Sequence, residues 1–230
     1  DSLADGTTAA RGKLLSTATQ FLNGLSAEQS ADMPLKRDTA EAFERLGDIA
    51  GNASLSNLGN AEVAEGHYRK ALALREQLIA SQPDNFADAT GMMKIHQRLG
   101  RMALDRGDAN AARSLCETQA PWADKAAAHR PDDINAQLAV GEAKLNLATV
   151  HYYPGRKSLN DFSGALKLVD EAVAHRAGLF EKAKKNQSAV RGYAQPLVTL
   201  TQLQLVHGQA AAALQTVNRI GPVIEALWSD

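Results

Sequence analysis

The sequence predicts an all-α protein, a solenoid of stacked antiparallel helix pairs with about nine helices. Three observations carry that expectation. The 230 residues are 44% hydrophobic but only 5% aromatic, so Ala and Leu supply the apolar content, as in close-packed helices. A short grammar recurs along the chain: a small residue where helices must crowd, a Gly or Asn turn, then an Ala five residues on. Finally, the grammar itself repeats at an offset of 101 residues, the distance from Leu46 to Leu147.

The first element is an amphipathic helix from about Thr7 to Leu25. Leu14, Leu15, Ala18, Phe21 and Leu22 have helical spacing, and Asn23-Gly24 is expected to stop it. Ser26 to Gln29 has capping-box spacing for the next helix, with Pro34 in or just before its first firm turns. Four inner–outer helix pairs follow. Their turn residues are Gly59, Gly107, Asn160 and Gly208, and the matching small residues are Ala64, Ala112, Ala165 and Ala213. The inner helices carry Leu46-Gly47, Leu99-Gly100, Leu147-Ala148 and Leu200-Thr201. Outer helices end near Pro83-Asp84-Asn85, Pro131-Asp132-Asp133 and Asn186-Gln187, where Asp or Asn can cap the next helix.

The small residue lies seven residues before the turn in the second and fourth repeats, and twelve before it in the first and third. The period is therefore a pair of repeats. At the 101-residue offset Glu41 meets Glu142, Leu58 meets Leu159, Ala71 meets Ala172, Arg75 meets Arg176 and Leu78 meets Leu179. Pro121 and Pro222 also coincide, which predicts the same kink in two outer helices. The expected division is residues 1–34 as an N-terminal helix and lead-in, then four repeats at about 35–84, 85–132, 133–187 and 188–228.

The spacing Leu-Gly, Gly-Asp, Ala is similar to the tetratricopeptide repeat, over roughly residues 35 to 228. The resemblance implies a right-handed superhelical solenoid that binds peptides or proteins. The units here are longer, 48 or 53 residues, and most of the family's Trp and Tyr anchors are replaced. A narrower resemblance lies in Glu44 to Asn85, above all GN…NLGN followed by YRKALALRE. That run resembles the repeat region beyond the kinase domain of many bacterial serine/threonine protein kinases. The resemblance implies a sensor or docking domain, with no kinase motif of its own.

Charge, cysteine and hydropathy restrict the partners. With 25 basic and 26 acidic residues the net charge is −1, so no overall field favours nucleic acid or an anionic membrane. The single Cys116 excludes an intramolecular disulfide and reads as a small buried hydrophobe. No apolar run is long enough to cross a bilayer. Starting at Asp1 with no signal peptide, the chain reads as a mature chain or an excised piece of a longer one.

Motifs for chemistry are missing from the sequence. His67, His96, His129, His151, His175 and His207 never fall three or four apart, and there is no HExxH, GxxxxGK[ST] or GxSxG. The sequence therefore implies no metal, no cofactor and no catalytic residue. Two groups are candidates for partner binding. Glu41, Glu44 and Asp48 share one face of an inner helix, and Lys94, Arg98 and Arg101 share a face one repeat later. Either these faces pair with each other and fix the stacking, or the cations hold a carboxylate or acidic peptide. Lys94 and Arg98 echo half of the family's carboxylate clamp, whose Asn partners are absent. The second group is the turn His151 to Asp161, where Tyr152, Tyr153, Arg156 and Lys157 would form a projecting aromatic-basic tip. Asn52-Ala53-Ser54 and Asn186-Gln187-Ser188 match a glycosylation acceptor by chance.

The expectation is a non-catalytic protein- or peptide-binding domain, the sensor or docking part of a bacterial receptor-like serine/threonine kinase, periplasmic in placement. The alternative is a stand-alone cytoplasmic scaffold. An enzyme with a site hidden between repeats would instead require converging His and carboxylates in an enclosed pocket.

Overall fold

A computed structural model of the chain describes residues 2–27, 32–51 and 58–228. These residues are helical almost throughout and contain no strand. The helices are α1 (Ser2–Ala27), α2 (Met33–Gly51), α3 (Ala61–Ser81), α4 (Phe86–Asp105), α5 (Ala109–His129), α6 (Ile134–His151), α7 (Phe162–Lys182), α8 (Gln187–Val206), α9 (Ala210–Asn218) and α10 (Ile220–Trp228). The fold is all-α, built from antiparallel helix pairs taken in chain order. Two compact units divide inside α4, the first running to Met102 and the second starting at Ala103.

The turns follow the predicted chemistry. Gly59, Gly107 and Gly208 have φ of 72°, 82° and 72°, and Asn160 has φ of 60°. These are left-handed values that Gly adopts without strain and Asn tolerates better than most residues. After Gly107 and Gly208 the chain closes with paired bonds. Gly107 N donates to Leu104 O at 2.9 Å and Asp108 N to Ala103 O at 2.9 Å, with Gly208 to Leu205 and Gln209 to Gln204 in the same places. The longer turns share another pattern. Leu58 N donates to Ile49 O and Leu159 N to Val150 O, each at 3.0 Å, while Asn60 N reaches Ala50 O and Asp161 N reaches His151 O, each at 2.8 Å. The 101-residue offset thus recurs bond for bond.

Caps complete the helix starts. Asn60, Asp108 and Asp161 accept from Val63, Ala111 and Gly164. Asn85, Asp133 and Asn186 do the same at the starts of α4, α6 and α8. Ala64, Ala112, Ala165 and Ala213 are all buried, so the returning helices pack closely where the sequence places small residues.

In the first unit α2 packs on α3 and, less extensively, on α1. Gly47 on α2 lies against the ring of Tyr68 on α3, where a Cβ would collide with it. In the second unit α6 lies against α5, α7 and α8, which leaves it half-buried or buried nearly all round. Its main core joins Leu145, Val169, Val173, Phe180, Val190, Leu197 and Val223, with Phe180 stacked on Tyr193 at 5.2 Å. A smaller core joins Ala103, Leu104, Ala112, Cys116 and Val150.

Four expectations need correction. The first helix does not stop at Asn23-Gly24 but continues to Ala27; Gly24 meets nothing that requires a turn, and Asn23 is held by Lys70 at 2.7 Å. A Gly costs a helix only about 1 kcal/mol, which packing offsets. Leu14 and Phe21, expected on its apolar face, are exposed, while Leu22 is buried. Ser26 lies inside α1, so it does not cap α2; that role falls to Asp32, whose Oδ1 accepts from Leu35 N at 3.3 Å. The prolines differ. Pro121 sits inside an unbroken α5, whereas before Pro222 the helix is divided at Arg219 into α9 and α10. A proline crowds the carbonyl four residues back, which for Pro222 is that of Asn218, the last residue of α9. The acceptor-like triplet Asn52-Ala53-Ser54 and most of its turn lie outside the described residues.

Candidate functional site

An open cleft of about 400 Å³ lies in the first unit, lined by residues of α2, α3 and α4. Its floor is ionic. Arg75 is buried on α3 and reaches Glu44 at 2.6 Å and Asp88 at 3.2 Å, both carboxylates being buried as well. Arg37 closes the far side of Asp88 at 2.6 Å, and its guanidinium pKa is raised mainly by that hydrogen bond. Gly91 makes the arrangement possible, because a Cβ there would overlap the Arg75 guanidinium.

The acidic and basic faces read from sequence do meet here. Arg98 bonds Asp48 at 2.7 Å and approaches Glu44 at 3.4 Å, while its guanidinium lies 5.5 Å from the Tyr68 ring centre. Tyr68 in turn donates to Asp48 at 2.7 Å; burial, with this bond second, pushes its phenol pKa up. Of the two readings, mutual pairing therefore accounts for Glu44, Asp48 and Arg98. Glu41 is paired with Arg45 along α2, exposed to water. Lys94 also lines the cleft, is exposed, and has no ion pair or hydrogen bond among the described residues. Arg101 is exposed on the next turn and is itself engaged. The cleft's mouth thus carries Lys94 and the exposed Arg45–Glu41 pair above a neutralised floor.

Arg37, Arg75 and Asp88 belong to the cleft without having been marked as site residues. The repeat of Arg75 at Arg176 was the available signal. Arg176 is the equally buried counterpart in the second unit, donating to Gly192 O, Gln195, Leu138 O and Glu142 between 2.7 and 3.0 Å. Burial lowers its pKa.

The aromatic-basic turn does not project freely. Tyr152 packs edge-on to Phe162 at 5.6 Å and against His207 at 5.5 Å. Arg156 lies over the Tyr153 ring at 5.1 Å and bonds Asp105 at 2.7 Å, and the Lys157 stem lies beside Gly107. Packing on Phe162 and His207 covers Tyr152 ring surface that a projecting tip would leave in water, while Arg156 and Lys157 fold back on the α4–α5 turn.

No family model and no curated protein matches the chain. Chains of solved structures do match it. One is a mutant of MamA, 17% identical, with the alignment covering 94% of this chain and 99% of that one at a TM-score of 0.38. A likeness that loose carries no functional argument, so the site rests on its own geometry.

A second pocket, about 600 Å³ and mostly apolar, lies between α1 and α3, lined among others by Leu15, Thr19, Leu58, Val63, His67 and Lys70. His67 is buried, stacked on Phe43 at 6.0 Å and 3.4 Å from Thr19 Oγ1. Desolvation, then Lys70, lowers its pKa. Cys116 is 3% exposed and its thiol is pushed up to about 12 by burial, as suits a core residue. Among the described residues no three His, Cys, Asp or Glu side chains gather as metal ligands, and no helix is long and apolar enough to cross a membrane.

Proposed function

We propose that this chain is a non-catalytic binding domain that takes an extended peptide with an acidic group into the first-unit cleft. The observation that carries the reading is the unpaired Lys94 in the lining of the cleft, which also carries the exposed Arg45–Glu41 pair and ion pairs that already satisfy the buried charges. A ligand carboxylate meets the unpaired Lys94 there, with Arg45 already shared with Glu41, and does not have to break the buried pairs. Arg98 then acts as a wall that holds the cleft open rather than as the ligand's partner.

The biological setting in this reading is the sensor or docking region of a bacterial receptor-like serine/threonine kinase, on the extracytoplasmic side of the membrane. Its support is the resemblance of Glu44 to Asn85. Sequencing the surrounding reading frame tests it: no kinase domain and no membrane-spanning helix in the parent protein would remove the idea. Localisation of the tagged parent protein separates it from the stand-alone cytoplasmic scaffold.

The binding claim is tested by titrating the chain with arrays of acidic and neutral peptides. Lys94→Glu is expected to weaken the acidic peptides by about tenfold or more, since reversing one contact charge is worth at least ~1.4 kcal/mol. Equal binding by the native chain and this variant would take the site away from the cleft.

A further inference from the structure

The two halves neutralise their buried arginines differently, and the difference decides what the first-unit cleft can take. In the second unit Glu142 reaches inward to Arg176 at 3.0 Å, and the Arg176 Nε still has no partner among the described residues. Glu41 stands in the register of Glu142, but Arg75 does not use it. The Arg75 Nε and Nη2 meet Glu44, and its Nη1 meets Asp88. Those two carboxylates stand where the second half has Leu145 and Ala189. Glu41 is thus released from the task that its counterpart performs.

Instead it turns along its own helix to Arg45, four residues on, at 2.5 Å. Both side chains line the cleft, and both are more than half exposed. The charges beneath them are closed: Arg37, Arg75 and Arg98 are matched by Glu44, Asp48 and Asp88. Of the charges at the mouth, Glu41 cancels Arg45, and Lys94 has no ion pair or hydrogen bond among the described residues. The cleft therefore offers an incoming ligand one positive charge where its lysine and arginine alone would offer two.

We propose that Glu41 is a specificity-determining residue of this cleft: by holding Arg45 it restricts the site to ligands with a single negative charge. The proposal rests on the cleft being the peptide site. An exposed ion pair along a helix is weak in water, so Glu41 is not there for stability. Its strength is tethering. One helical turn away, it meets Arg45 at an effective concentration set by the helix itself. A second ligand carboxylate gains Arg45 only by breaking that pair and then lies beside the displaced Glu41, a like charge.

The test is calorimetric titration of the full chain with two peptide series. One is blocked at both ends and carries one Glu or two adjacent Glu, so that only side chains are charged. The other has a free C-terminal carboxylate, with or without a Glu as its last residue. The native chain is expected to bind the singly and doubly charged members of a series within about twofold of each other. Glu41→Gln is expected to make the doubly charged member about tenfold the tighter. Glu41→Gln with Arg45→Gln is expected to return that ratio to the native one. Both positions are exposed on α2, so the variants should keep the native circular dichroism.

A changed ratio in either series supports the proposal, and the series that responds tells whether the ligand's charge is a side chain or a chain end. An unchanged ratio in both overturns it. So does a native preference for two charges. A preference that survives Arg45→Gln overturns it as well, because Glu41 would then act by general repulsion and not by holding Arg45. Lys94→Glu separates this proposal from the reading it rests on. If Lys94→Glu weakens every charged peptide while Glu41→Gln leaves the ratios alone, the cleft stands and the role of Glu41 falls. If Lys94→Glu weakens none, or the native chain binds none, the cleft and the role of Glu41 fall together.

Discussion

Arg75 presents both Nε and Nη2 to one oxygen of Glu44, each at 2.6 Å, with both side chains less than a tenth exposed. The pair ties α3 to α2, and Asp88 adds α4. Its counterpart Arg176 is as deeply buried but meets mainly neutral acceptors, its one carboxylate, Glu142, being 30% exposed. Removing one member of a buried ion pair costs about 3–5 kcal/mol, whereas orphaning neutral acceptors costs about 1–3 kcal/mol. Arg75→Met is therefore expected to destabilise more than Arg176→Met, read from the urea midpoints of the two variants.

The turn glycines separate backbone strain from crowding. Gly208 has φ of 72° with open space around it, and Gly107 has φ of 82° with the Lys157 stem where a Cβ would go. Gly208→Ala should cost about 1–2 kcal/mol from the left-handed conformation alone. Gly107→Ala should cost more, and in thermal unfolding the excess should shrink when Lys157→Ala is added.

Acid should weaken the fold before the carboxylates titrate. Burial lowers the pKa of His67, helped by Lys70, and burial alone lowers that of His96. Each imidazole is therefore more easily protonated in the unfolded chain, where its pKa is near 6.5. Stability from both is complete above about pH 6.5 and declines as pH falls below it. Urea midpoints measured from pH 7.5 to 5.5 should fall, and His96→Gln should flatten part of that slope.

Cys116 offers a reporter of global opening. With its thiol pushed up to about 12 and 3% exposed, it should resist a thiol reagent at pH 8 and react fully in urea. Rapid labelling of the native chain would show that the small core around Val150 opens by itself.

Much of this arrangement is legible from local rules. The left-handed turn at Asn160, the Asp and Asn caps and the buried Ala after each turn involve residues within about five positions of one another. Their chemistry is therefore written in the residues themselves. The duplication is legible for the same reason, down to the shared bonds of Leu58 and Leu159. The end of α1 was missed because Asn23-Gly24 is only a weak local signal, easily overruled when Asn23 finds Lys70 on another helix.

The order of residues, then, sets where each helix starts, turns and presents small side chains, because those choices depend on backbone freedom and near neighbours. It also contains the charges of the first-unit cleft, but not their pairing. That Arg98 is committed while Lys94 is unpaired, or that Tyr152 lies on Phe162 rather than in water, depends on which helices meet. Such contacts join residues 10 to 54 positions apart. They form only when packing brings the partners within reach and removes the water that would otherwise satisfy each one separately.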